Sequence, residues 1–512
     1  MSTLASLLAE LAAARLVRGD SATPVTGVDH DSRRVQPGQV FFAIPGFSVD
    51  GHAFLATAAA AGTAALVVQE DRLAGLTLPI GPPVVAVPDT RRALSAAAAW
   101  FYGHPSRELV TVGITGTDGK TTTSHLLSSI FDAAGIRSGR LGTVDVWMPG
   151  RTGMVEGRMT TPEAPEVQRI LREMAGAGCT HAVVESTSHG LALDRLADVE
   201  YDVAAFTNVT GDHLDFHKTF EAYREAKGLL FSALERPKGK AGRDRAAVVN
   251  LDDPSAHHFL ALAPGARHLT YALEDQHHGA EVTALRLSPG AAGTEFVLAT
   301  PQGEVATRIA LPALFNVANA LCAAACALAA GVALPAIAQG LAACPGVPGR
   351  MEPIDAGQPF GVIVDYAHTG DAVRKVLALL REVTSRNLIV VVGAAGERDP
   401  GRRFGVARAA AAAADFAIFT NEDPRSEDPA AIVREIGQHA ESAGRERGRD
   451  FSEIEDRAEA IHVALARAGP GDVVVICGKG HEQSIVYGTE ARPWDDRDVT
   501  RAALASLGFT PP

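Results

Sequence analysis

Cysteine is sparse: the chain carries five, at positions 179, 322, 326, 344 and 477, an odd number with no C-x-x-C pair. This excludes a disulfide framework and a cysteine-based zinc site, and it points to a reducing, cytoplasmic compartment. Cys322 and Cys326 stand at helical i, i+4 spacing with no histidine beside them, and they read as small core residues. Positive charge is in deficit as well, with 47 Lys and Arg against 60 Asp and Glu and a net charge of −13. A field of that sign repels phosphate backbones and anionic lipid heads, so nucleic acid is not the expected partner. An anionic ligand must then be held by a local array of backbone N–H groups, Lys and Arg. Long hydrophobic runs are missing too. The most apolar stretch, 321–344, is mostly alanine and is broken by Gly331, Pro335 and Gln339, which predicts packed core helices and no membrane span. The first 17 residues lack a basic lead and carry Glu10 inside their apolar run, which predicts an amphipathic helix in place of a secretion signal.

What is present is enough chain for about three domains at roughly 100–200 residues each, since the sequence has 512 residues. Residues 1–105 mix short apolar strands such as QVFFAIPG and AALVVQ with alanine-rich helices and end at the turn-forming GHPSRE. Residues 106–346 alternate helical segments with the strands 109–116, 181–186, 203–209 and 246–252, a pattern that predicts a mostly parallel sheet covered on both faces. A Pro/Gly cluster at 343–350 marks a second linker. Residues 347–512 repeat the α/β pattern around VIVDYAH, NLIVVVGAAG, FAIFTNEDP and DVVVICGKGHE. The expected fold is therefore α/β in three domains, with ligands at the carboxyl ends of the strands.

The strongest chemical signal is Gly113-Ile-Thr-Gly-Thr-Asp-Gly-Lys-Thr-Thr-Thr123, directly after a strand and before a helix. Glycines let the backbone curl its N–H groups around a phosphate, Lys120 neutralises charge, and Thr121 can ligate Mg²⁺. It departs from the usual phosphate-loop spacing, because Ile114 stands where the first glycine belongs and glycines stand at 113, 116 and 119. A second set, Glu185 with Asp212, His213 and Asp215, suits a hard cation that keeps waters and phosphate oxygens as ligands. A third set clusters at strand ends of the last block: Arg350, Asp365, Arg398, Arg425 and the GKGHE run 478–482. There arginine forks fit carboxylate or phosphate, and Glu482 can read an ammonium.

In this combination and order the motifs resemble the Mur ligases, ATP-dependent amide-forming enzymes of peptidoglycan precursor synthesis, over essentially the whole chain. The stretches VDHDSRRVQPGQVFFAIPG, MTTPEAP, ESTSHGL, FTNVTGDHLDFH, EAYREAKGLLF, VDYAHTGDAV, NEDPR and GKGHE resemble most the branch that adds the third amino acid of the stem peptide. The resemblance implies a small α/β domain that binds the UDP substrate, a central phosphate-loop ATPase domain and a Rossmann-like domain that binds the amino acid. Asp31, Ser32 and Arg33 then hold the uridine nucleotide, and Thr160, Thr161, Thr187 and Arg195 contact the UDP-muramoyl dipeptide. Thr115, Gly116, Thr117, Asp118, Gly119, Lys120, Thr121 and Thr122 match the triphosphate site, with Thr121, Glu185 and His213 at Mg²⁺ positions. Lys227 matches a lysine that family members carry as a carbamate, N-carboxylysine, which can bind the cation. Asn316 and Asn319 match adenine-side residues, while Arg350 and Asp365 are nucleotide contacts from the last domain. Closure of that domain onto the second is implied, which would exclude water from the intermediate.

The chemistry so implied is γ-phosphoryl transfer to a substrate carboxylate, with Lys120, Lys227, Glu185 and His213 as the catalytic group, followed by attack of an amine on the acyl phosphate. The implied substrates are ATP, UDP-N-acetylmuramoyl-L-alanyl-D-glutamate and a diamino acid, and a monomer is expected. Arg398, Glu422, Asp423, Arg425, Gly478 and Glu482 match the amino-acid pocket. Glu422-Asp423-Pro424-Arg425 replaces the Asp-Asn-Pro-Arg usual for meso-diaminopimelate, so that amino acid, L-lysine and L-ornithine all stay open. Asp423, an anion that only accepts hydrogen bonds, is expected to favour an ammonium over a distal carboxylate. Ser186 and His189 read as substrate binding, because no third partner of a nucleophilic triad is assignable. The alternatives are another Mur-type or folylpolyglutamate-like ligase, and a phosphate-loop nucleotide switch.

Overall fold

The computed structural model describes residues 2–46, 49–153, 161–211, 213–236, 239–240, 242–273, 279–290, 293–398 and 401–510. The chain forms two compact units, one of residues 1–288, 295–309 and 314–344, the other of 289–294, 310–313 and 345–512.

The first unit contains two sheets. The smaller has the spatial order Arg15–Arg18, Val84–Val87, Ala65–Gln69, Gln39–Phe42 and Gly27–Asp29, all parallel except the first strand. Its strands are short runs of β-branched and aromatic residues, and Val40, Phe41, Phe42, Leu66, Val67 and Val85 are fully buried. The expected N-terminal helix is present as Leu4–Glu10, with Leu4 and Leu7 in the core. Helix Thr90–Phe101 starts where Asp89 accepts the N–H groups of Arg91 and Arg92.

The larger sheet has a parallel centre in the order Arg267–Ala272, Ala246–Asn250, Val203–Phe206, Val110–Thr115, His181–Glu185 and Ser138–Leu141. Buried on both faces, these strands read as near-continuous apolar runs, as expected for parallel sheets. Complete burial of side chains such as Val112, Ile114, Val183 and Val248 stabilises by about 1.5–3 kcal/mol each. Helix Lys120–Ala133 packs against helices Leu314–Ala329 and Leu334–Ala343. Cys322 and Cys326 are fully buried there, as the sequence predicts.

The second unit is a sheet ordered Glu352–Pro353, Gly361–Asp365, Val473–Cys477, Leu388–Val392, Phe416–Phe419 and Phe451–Glu453, parallel except for its first strand. Among the described residues no helix is long and apolar enough to cross a membrane.

Candidate active site

The register of the larger sheet places Glu185 beside Ile114 and Phe206 beside Thr115. Three neighbouring parallel strands therefore deliver Thr115, Glu185 and Thr207 to one carboxyl edge. From Thr115 the chain turns through residues 116–119 into helix Lys120–Ala133, whose first turn has no side-chain cap. Its leading N–H groups and positive end are thus suited to an anion.

Contacts distant in sequence account for the unusual glycine spacing. Gly116 has φ +151°, and a Cβ there would lie 1.8 Å from Thr207 Oγ1; Gly119 has φ +84°, and a Cβ would lie 2.2 Å from Asn319 Oδ1. The loop is stitched to the next strand end. Thr117 N–H donates to the Asn208 carbonyl at 2.8 Å and Asp118 N–H to Asn208 Oδ1 at 3.0 Å, while Thr207 Oγ1 donates to the Asp118 carbonyl at 2.6 Å. Lys120 Nζ curls back onto the carbonyls of Gly116 and Thr117 at 2.9 and 2.8 Å. Lys227, 1% exposed, donates to the same Gly116 oxygen at 2.6 Å.

Glu185 is fully buried and accepts from Thr121 Oγ1 at 3.0 Å, Ser124 Oγ at 3.3 Å, Thr143 N at 3.2 Å and Thr143 Oγ1 at 2.8 Å. Buried polar groups are retained where such partners satisfy them. Its backbone carbonyl accepts from Thr161 Oγ1, which also lies 2.9 Å from Thr187 Oγ1. Arg195 donates to the Thr161 carbonyl at 3.0 Å and pairs with Glu163 at 2.7 Å. Thr161 thus links the Glu185 backbone to Thr187 and Arg195. His213, exposed and at φ +53°, has its ring 4.8 Å from that of His189 and 6.2 Å from that of Tyr223. Thr122 is buried in the first turn of the helix, and Asn319 Nδ2 donates to Asn316 Oδ1 at 3.2 Å. Thr160, Asp212 and the side chain of Asp215 lie outside the described residues.

On the smaller sheet, the turn after Gly27–Asp29 presents Asp31, Ser32 and Arg33. The Arg33 guanidinium grips Asp31 at 2.9 and 2.7 Å and holds that carboxyl down at about 2.

In the second unit, Asp365 accepts N–H groups of Met351 and Ala367 at 2.7 and 2.8 Å, and burial raises its carboxyl. The Arg350 guanidinium lies over the Tyr366 ring at 4.5 Å. Glu422, buried and with Oε2 unpartnered, is pushed up to about 7 by burial. Gly478 adjoins its carboxyl group. Lys479, fully buried, donates to Asp423 Oδ1 at 2.9 Å and to Glu482. Asp423 Oδ1 also accepts Val486 N–H at 2.9 Å. The charge expected to meet a substrate ammonium is therefore already met by a lysine of the chain itself. Arg425, half-buried at φ +55°, is joined by main-chain hydrogen bonds to Val486 and Gly488, and Arg398 is exposed.

Sequence reasoning missed Thr143, Thr207, Asn208, Tyr223 and the pairing role of Lys479. Of these only Tyr223 had a local signal, its i, i+4 spacing to Lys227 in EAYREAK.

Comparison with known proteins agrees with this geometry. Residues 24–102 match the Mur ligase family catalytic domain, 114–327 the Mur ligase middle domain and 349–480 the Mur ligase glutamate ligase domain. The chain is 47% identical to the UDP-N-acetylmuramyl-tripeptide synthetase of Roseiflexus sp., over 95% of each chain. It is 41% identical to the UDP-N-acetylmuramoyl-L-alanyl-D-glutamate--2,6-diaminopimelate ligase of Geobacillus thermodenitrificans, over 98% of this chain and 99% of that one. A solved structure of a diaminopimelate ligase of the same description superposes with a TM-score of 0.69 at 30% identity, covering 99% of this chain and 100% of the other. A phosphate loop facing a buried carboxylate, inside three family domains matched in order, makes this protein a member of the Mur ligase family, the ATP-dependent amide-bond ligases.

Proposed function

We propose that the protein joins a diamino acid to the D-glutamate carboxylate of UDP-N-acetylmuramoyl-L-alanyl-D-glutamate, a cytoplasmic step of peptidoglycan precursor synthesis. The carrying observation is the convergence of Lys120, Lys227 and the buried, hydrogen-bonded Glu185 on the Gly116–Thr121 turn, in a chain so similar to ligases named for that substrate. The division of labour follows the three domains: 1–105 for the UDP moiety, 106–346 for ATP and 347–512 for the amino acid.

In this reading a substrate carboxylate oxygen attacks the γ-phosphorus, the bond to the β-bridging oxygen breaks, and ADP leaves an acyl phosphate. The amine nitrogen then attacks the acyl carbon, phosphate departs with its C–O electron pair, and the amine proton passes to solvent. Both steps concentrate negative charge on oxygens, so the chain contributes mainly positioning and electrostatics. Lys120 leaves the neutral carbonyls of Gly116 and Thr117 for the more strongly attracting phosphate oxygens. Thr161, Thr187 and Arg195 orient the dipeptide carboxylate beside Glu185.

The oxygens at Glu185 suit Mg²⁺: hard ligands from its carboxylate and the Thr121 hydroxyl would hold it, with His213 and Lys227, as N-carboxylysine, completing the proposed set. When bound, Mg²⁺ supplies charge neutralisation for the transferring phosphoryl group.

The test is phosphate release from ATP in the presence of the UDP-dipeptide and, separately, meso-diaminopimelate, L-lysine or L-ornithine, with product masses recorded. Release coupled to a new amide with one of them is expected. Release indifferent to the UDP-dipeptide would overturn the proposal.

A further inference from the structure

We infer that Tyr223 is a positioning residue that couples Lys227 to the phosphate loop, an inference that rests on the ligase reading of this site. Helix Phe220–Ser232 carries both residues one turn apart, so they share a face. Both are about as buried as side chains can be, at 1% exposure.

The tyrosine hydroxyl lies 3.0 Å from Thr117 Oγ1, in the middle of the loop. That threonine oxygen also accepts Thr210 N–H at 2.9 Å and donates its single proton to the Thr210 carbonyl at 3.2 Å. Thr117 Oγ1 is thus tied on one side to the Thr210 backbone and on the other to the Tyr223 hydroxyl. At the other end of the same side chain, the Tyr223 ring faces Lys227 Nζ at 4.4 Å from its centroid. Lys227 closes the circuit by donating to Gly116, the neighbour of Thr117. One side chain therefore fixes both the loop and the lysine, and the rings of His217 at 5.3 Å and His213 at 6.2 Å pack against it and limit its rotation.

The two ends have separable consequences. The hydroxyl sets the loop that cradles ATP, and the ring sets where the Lys227 amine lies relative to that loop. Both contacts are with the loop or with the lysine that donates to it.

The experiment compares the full-length protein with Tyr223→Phe and Tyr223→Leu in steady-state ligation, with each substrate varied in turn, and measures ATP affinity directly by calorimetry. Tyr223→Phe keeps the ring and is expected to weaken ATP binding and raise its KM about 3- to 10-fold, the worth of one hydrogen bond, with kcat falling less. Tyr223→Leu loses the ring as well and is expected to lower kcat at least 10-fold, with the KM values for UDP-dipeptide and amino acid unchanged in both variants. A purely structural tyrosine would lower the unfolding midpoint and leave kcat and every KM per folded molecule as in the parent. That outcome, or a Tyr223→Phe protein with unchanged ATP affinity, overturns the inference even where Tyr223→Leu does not fold. Calorimetry needs no amide product, so a parent protein that forms no amide would sink the ligase reading while the role of Tyr223 at the loop is still decided.

Discussion

Lys120 and Lys227 donate to one and the same backbone oxygen, that of Gly116, at 2.9 and 2.6 Å. For the Lys120 ammonium a neutral carbonyl is a weaker partner than an ionised phosphate oxygen would be. The loop thus presents Lys120 where a triphosphate would draw it away. Lys120→Met is expected to cut the rate of phosphate release on the order of 10²–10³-fold, the usual cost of removing one stabilising group from a charged transition state. Lys120→Arg is expected to recover little of it, because the guanidinium fork does not replace a compact point charge at the end of a tight turn. Stopped-flow phosphate release checks both, and an arginine variant near parental rate would show that charge alone matters at this position.

Glu185 accepts four hydrogen bonds in complete burial, two of them from Thr143. Glu185→Gln keeps the shape, removes the charge and turns two of those donors toward an amide that offers one acceptor oxygen. We expect the Mg²⁺ concentration for half-maximal activity to rise about 10- to 100-fold, with ATP held saturating. A Mg²⁺ titration that superposes on the parent curve would place the cation elsewhere.

The strands and the phosphate loop were legible because both are local: Val110–Thr115, Lys120 and the helix after it lie within a few residues of one another. The reason for glycine at 116 and 119 was not, because the obstructing atoms belong to Thr207 and Asn319, some 90 and 200 residues away. The grouping of the three larger sheets into two units was equally hidden. Arg91 reaches Glu163, Arg92 pairs with Asp198, and Ala164 is buried among the apolar residues of the smaller sheet, so the first two sheets share packing that no linker composition reveals. Charge type at Asp423 was legible, but its partner was not, since Lys479 stands 56 residues downstream.

That pairing alters the expected effect of Asp423→Asn. Lys479 already neutralises the carboxylate, so the preference between meso-diaminopimelate and L-lysine, as a ratio of kcat/KM values, is expected to stay within about threefold, less than 1 kcal/mol. Stability is expected to fall by about 1–3 kcal/mol, because a buried ammonium loses a charged partner while Glu482 remains. Urea unfolding and competition kinetics measure the two effects. A tenfold swing toward diaminopimelate would restore the view that Asp423 repels a distal carboxylate directly.

Glu422 ties stability to pH in the direction opposite to most carboxylates. Burial pushes its carboxyl from 4.5 up to about 7, against the pull of Lys479 and Arg457. Between those values the folded protein keeps a proton that the unfolded chain has released, so stability falls as pH rises across the window and levels off above it. The full loss attributable to this group is about 3 kcal/mol as an upper figure. Glu422→Gln has no proton to lose, so its stability relative to the parent is expected to improve from pH 5 to about pH 7 and to level off by pH 8. Urea midpoints across that range decide the point: parallel curves for the two proteins would mean that Glu422 is ionised throughout, its charge balanced inside the fold by the lysine and arginine beside it.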